Sequence, residues 1–141
     1  MSTSFTGGCI CGAVRYECSA APMMTGNCHC RDCQKAGGGP FASALAVPTA
    51  ALKIVGEVKY YDTTGDSGQP VSRGFCPNCG ARLLGRPRAN PDLTIILAGS
   101  LDDPSWFRPG MDVYTASAQP WDHMNPDLPK FPKMPQQITQ R

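Results

Sequence analysis

Residues 12–18 alternate in character, with Val14, Tyr16 and Cys18 pointing one way and Arg15 and Glu17 the other. A period of two marks a strand that rests one face on a core. The same pattern predicts strands over residues 41–47 and 52–61. In the second, Leu52, Ile54, Val58 and Tyr60 are candidate core residues, and Gly56 marks a bend or bulge. Residues 61–70 read as a turn-rich loop, 71–75 lead into the stretch CPNCG, and 81–84 lead out of it. Residues 93–98 are continuously apolar, as in a strand buried on both faces. Residues 111–117 are the predicted last strand. Only residues 30–36 favour a helical turn, which the glycines at 37–39 and Pro40 would stop. Short strands with frequent turn signals predict an all-β fold.

Composition narrows this picture. A chain of 141 residues suits one core, so the expectation is a single domain over 1–141. Five prolines fall in the 22 residues from Pro120 onward, which predicts a tail running extended over the surface from about 120. Lys+Arg 13 against Asp+Glu 11 is too balanced for a strongly basic nucleic-acid or membrane-surface protein. The apolar run at 93–98 is far too short to span a bilayer. Residues 1–8 carry neither a basic nor an apolar leader segment, so the expected setting is the cytoplasm. Thiols stay reduced there, and a cysteine pattern points to metal binding or catalysis before disulfides.

The chain has 8 cysteines, and their spacing carries the chemistry. Cys76 and Cys79 form a C-x-x-C-G turn that aims two sulfurs at one point, with Gly80 taking the backbone angles the turn requires. A tetrahedral zinc needs two more ligands. On an extended N-terminal strand, Cys9 and Cys11 would face the same side and supply them. Cys9, Cys11, Cys76 and Cys79 are thus a candidate structural zinc site, whose binding energy is folding energy. A redox dithiol at Cys76 and Cys79 is the plainer rival.

Cys28, Cys30 and Cys33 differ in offering three sulfurs with no obvious fourth ligand. Three protein ligands and an open position mark a catalytic or substrate-binding zinc, and the open position can take water or a small thiol. Zinc deprotonates a coordinating thiol and makes a nucleophile near neutral pH. The rivals are a site completed by Cys18 or a histidine, and reduced thiols without metal. Cys18 reads as a small buried hydrophobe. His29 is expected to point away from its ligand neighbours, and His123 to be packed or solvated. Arg31, Lys35, Arg73, Arg82, Arg86 and Arg88 lie near the cysteine groups in sequence, mostly as a solvated face. An anionic thiol such as glutathione needs cations for its carboxylates, and Arg31 and Lys35, in or beside the triplet, are the candidates.

Residues 7–17 (GGCICGAVRYE), 27–35 (NCHCRDCQK) and 75–80 (FCPNCG) together resemble the glutathione-dependent formaldehyde-activating enzyme family, which includes centromere protein V. Trp121 followed by Leu128 and Pro129 resembles the family's C-terminal signature, so the resemblance spans roughly residues 5–130. It implies an Mss4-like fold of small twisted antiparallel sheets stapled by zinc. It implies the same division of sites: Cys9, Cys11, Cys76 and Cys79 structural, and Cys28, Cys30 and Cys33 around a catalytic zinc. The implied reaction is that of a carbon–sulfur lyase, run in reverse, joining glutathione and formaldehyde. Two other functions fit the residues: a thiol carrier that turns nothing over, and an interaction module. Near-neutral charge and 8% aromatic residues argue against a nucleic-acid partner.

Overall fold

The computed structural model describes residues 4–65 and 68–135. Its strands form two sheets. The small one contains β1 (Phe5–Gly8), β2 (Arg15–Cys18) and β5 (Leu52–Val55), antiparallel in the order β1-β2-β5. The large one contains β3 (Met24–Cys28), β4 (Ala42–Pro48), β6 (Lys59–Thr64), β7 (Pro70–Phe75), β8 (Arg82–Pro87), β9 (Leu93–Leu97) and β10 (Asp112–Val113). Its order is β10-β3-β4-β9-β8-β7-β6, antiparallel throughout except that β10 runs parallel to β3. The α-helix α1 (Arg31–Gly37) follows β3. The architecture is all-β, as expected of an Mss4-like fold.

The alternation over residues 12–18 holds: Val14, Tyr16 and Cys18 are buried, and Arg15 and Glu17 are exposed. These three pack against Leu45 and Val47 of β4, Leu83 and Leu84 of β8 and Ile96 of β9, forming the main core between the sheets. Cys18 is a small buried hydrophobe within it. The Tyr16 hydroxyl, beside Ser100 Oγ at 2.6 Å, keeps a partner, as a buried phenol requires. At Gly56 the chain bends between β5 and β6 with φ +100, and a Cβ there would come within 2.1 Å of the Ala13 carbonyl oxygen.

Four expectations are corrected. Tyr60 lies outside the core because β6 is an edge strand, and Arg86 stacks over its ring at 5.7 Å. The loop predicted over 61–70 is shorter, since pairing between β6 and β7 continues to Thr64 and Pro70. The last strand ends at Val113, because Tyr114 adopts the left-handed conformation (φ 57) and Thr115–Ser117 coil into a 3-10 turn. The segment after 120 does not simply run over the surface. Phe131 and Met134 fold back onto a second, smaller core of Cys30, Val113 and Tyr114.

Candidate functional site

Cys9, Cys11, Cys76 and Cys79 converge, with all four sulfurs within 4.8 Å of one another. They do so differently from the expected strand geometry. Cys9, Ile10 and Cys11 lie in the turn between β1 and β2, where Cys9 N–H donates to the Val14 carbonyl at 3.1 Å and Val14 N–H donates to Cys9 Sγ at 3.2 Å. The turn between β7 and β8 repeats this: Asn78 and Cys79 N–H point at Cys76 Sγ at 3.4 and 3.5 Å, and Gly80 has φ +77. Two reversals of the chain thus face each other. Sulfur separations of 3.6 Å (Cys9–Cys11) and 3.8 Å (Cys11–Cys76) are far from disulfide contact. They match the edge of a regular tetrahedron around zinc, about 3.8 Å for a Zn–S bond of about 2.3 Å. Backbone donors favour thiolates here before any ion binds. Val14 N–H lowers the Cys9 pKa, and the backbone groups of Ala81 and Cys11 bring Cys79 to about 6.

Cys28, Cys30 and Cys33 form the second cluster, again within 4.8 Å, and among the described residues no fourth cysteine, histidine or carboxylate joins it. Cys28 ends β3. Cys30 is the N-cap of α1, its sulfur accepting from Cys33 N–H at 3.4 Å, and Cys33 sits in the first turn. The three sulfurs cannot all hold charge alone. Cys30 is strongly lowered by hydrogen bonds from the Cys28 and Cys33 thiols, and Cys28 is pushed up by the same contacts and by burial. A cation is needed to ionise the set, and the soft donor set suits zinc. The cation already present is Arg73 of β7, whose Nη1 lies 3.9 Å from Cys33 Sγ. Arg31 and Lys35 are exposed on α1, with the Arg31 guanidinium turned onto Gln34 Oε1.

His29, between two of the sulfur residues, points away from them as expected. Its side chain is fully buried, with Nε2 2.8 Å from Asp112 Oδ1 and Nδ1 2.5 Å from Asp122 Oδ2. Both ring nitrogens have carboxylate partners, which leaves neither for a metal. Burial works against the Asp112 carboxylate, but hydrogen bonds from His29, Lys130 and Asn27 outweigh it and hold its pKa below the usual range. Bonds to backbone carbonyls complete the clamp: His29 N–H donates to the Val113 carbonyl at 3.0 Å, and the Gln34 side-chain Nε2 donates to the His29 and Ser117 carbonyls at 2.7 and 3.0 Å. The C-terminal segment therefore fixes the triplet from behind. Sequence reasoning missed Asp112, Asp122 and Lys130. The only signal was an ionisable residue between two ligands, which had to be neutralised or paired if buried.

Residues 4–117 match the family described as glutathione-dependent formaldehyde-activating enzyme. The match contains all seven clustered cysteines and ends before Trp121, Leu128 and Pro129, which were expected to carry a C-terminal signature. Among solved structures, a crystal structure of a Rhodobacter sphaeroides protein superposes with a TM-score of 0.55 at 19% identity, covering 89% of this chain and 98% of that one. At this identity the similarity speaks for the fold alone. No helix among the described residues is long and apolar enough to cross a membrane.

Proposed function

Since the chain belongs to the glutathione-dependent formaldehyde-activating enzyme family, we propose that it forms and breaks a carbon–sulfur bond between a thiol, glutathione first, and formaldehyde or another small carbonyl compound. The observation that carries this reading is the three-sulfur cluster Cys28, Cys30 and Cys33, which has no fourth protein ligand among the described residues and a guanidinium at its side. Zinc held there by Cys28, Cys30 and Cys33 would supply an open position and would lower the pKa of a thiol that took it. The second cluster, Cys9, Cys11, Cys76 and Cys79, holds the structural ion.

The chain's own part is positioning and charge. The capped first turn of α1 sets Cys30 and Cys33, and the paired His29 fixes the strand end that carries Cys28. Arg73 offsets the negative charge that three thiolates concentrate. In the forward direction the sulfur lone pair forms the C–S bond as the carbonyl pair moves to oxygen. That oxygen takes up the proton the thiol gave up, giving an S-hydroxymethyl adduct. Cleavage returns the proton to sulfur. Holding the two reactants together supplies most of the advantage over solution.

Exchange NMR of glutathione with formaldehyde tests this reading. Zinc-loaded protein is expected to raise the rate of S-(hydroxymethyl)glutathione formation above the spontaneous one, and Cys33→Ala to remove the gain. Saturable glutathione binding with no gain would make the protein a carrier and end the catalytic reading.

A further inference from the structure

The pairing between β7 and β8 contains an irregularity that decides where one arginine points. Gly74 opposes Leu84, but Phe75 opposes Arg82, so Leu83 is an extra residue on β8. Directly opposed residues share a face, and neighbours along a strand alternate. Regular pairing would set Phe75 against Leu83 and put Arg82 on the core side with Leu84. The bulge instead places Arg82 on the face of Phe75, which is also the face of Arg73 two residues earlier.

Arg82 has little to do there for the fold. It takes part in no ion pair among the described residues, and its buried Nε has no hydrogen-bond acceptor. A desolvated N–H without a partner is costly, and a guanidinium offers five donors in a planar fork. Arg73 is better served, with Nε on Thr63 Oγ1 at 3.3 Å and Nη1 by Cys33 Sγ at 3.9 Å. The two arginines share one neighbourhood. Burial and then the Arg73 charge push the Arg82 pKa down, while the Cys33 sulfur pulls it up. One guanidinium already lies against Cys33 Sγ, and the bulge sets a second, its Nε unpartnered, on the same face of the sheet.

We propose that Arg82, with Arg73 beside it, receives a carboxylate of the incoming thiol, so that the Cys28, Cys30 and Cys33 site selects acidic thiols over neutral ones. This rests on the reading that a thiol enters that site. A planar fork suits a carboxylate, which accepts two parallel N–H bonds, better than it suits a single sulfur. The rival role for Arg82 is simple charge compensation of the bound sulfur, which would favour every thiol alike.

Calorimetric titration of the zinc-loaded protein with 3-mercaptopropionate and its amide separates these ideas. The wild type is expected to bind the acid at least about tenfold more tightly than the amide. Arg82→Gln is expected to bring that ratio close to one at unchanged zinc content. Comparing ratios between proteins cancels any difference in thiol acidity. Arg82→Lys keeps the charge but loses the fork. It also serves if the Gln variant does not fold, and it is expected to lose more than half of the preference. Equal binding of both thiols to the wild type would overturn the proposal and leave thiol entry standing. A variant that weakens both by one factor would assign Arg82 to charge compensation and overturn it too. Failure of both thiols to bind the wild type would remove the thiol site itself, and the proposal with it.

Discussion

The tetrad takes its sulfurs from two turns, with Cys11 and Cys76 65 residues apart, whereas the triplet takes its sulfurs from residues 28–33. The tetrad leans on the main core: Cys76 belongs to it, and Cys9 and Cys79 pack against it. The triplet has a small core of its own, built with Val113, Tyr114, Phe131 and Met134. On the proposed reading the same side chain does two jobs according to what it closes. Ligands far apart in sequence close a long loop, and binding there is inseparable from folding. Ligands close together close almost nothing, and the cluster is free to leave a position open.

The largest expected effect tests that difference directly. Cys76→Ala leaves three tetrad ligands and a cavity in the main core, and the variant is expected to lose its cooperative thermal transition. Cys30→Ala is expected to keep that transition while bound zinc falls from about two per chain to about one. Metal content and thermal unfolding of the two variants check this. Equal damage from both would abolish the distinction between a structural and a functional cluster.

A smaller effect is expected from the support behind the triplet. His29→Ala leaves Asp112 and Asp122 buried without their shared partner. The second is already short of one, since its Oδ1 has no hydrogen-bond partner. Removing one member of a buried charged set costs about 3–5 kcal/mol. Denaturant unfolding should show a loss of that size, and chelator competition should release the triplet metal first with the tetrad metal retained. Release of both together would make the two regions one cooperative unit.

What was legible in the sequence is what local rules control. The alternation of Val14, Tyr16 and Cys18, the C-x-x-C-G turn and the close spacing of Cys28, Cys30 and Cys33 all depend on near neighbours, and joining Cys9 and Cys11 to Cys76 and Cys79 followed from the four ligands a tetrahedral zinc needs. The pairing of Cys9 with Cys11 was foreseen through the wrong geometry, because a turn and a strand can each aim two sulfurs at one point. The rest depended on distant partners. His29 meets Asp112 and Asp122 across 83 and 93 residues. The direction of Arg82 follows from a register shift that no single strand encodes. Tyr114 breaks a strand although tyrosine favours strands, since tertiary packing outweighs that preference.

The smallest effect concerns how each region is held at its surface. Beside the tetrad, Arg15 of β2 forms an exposed ion pair with Asp102, which also accepts from Thr6 Oγ1 of β1 at 2.6 Å. Arg15 first and then Thr6 lower the Asp102 pKa from 3.8 to about 2. A carboxylate more acidic when folded than when unfolded stabilises the protein fully above its unfolded pKa, and loses that contribution as pH falls toward the folded value. The advantage of the wild type over Asp102→Asn should therefore be constant from neutral pH to about 4 and shrink between about 4 and about 2. Acid also protonates the cysteine ligands, but it does so in both proteins, and the difference between them isolates Asp102. The pair is solvent-exposed and screened, so the neutral-pH advantage should be well below that lost in His29→Ala and should fall further with added salt. If Asp102→Asn proved as damaging as His29→Ala, the small sheet would depend on its surface as much as on the tetrad, and the contrast between the regions would need redrawing.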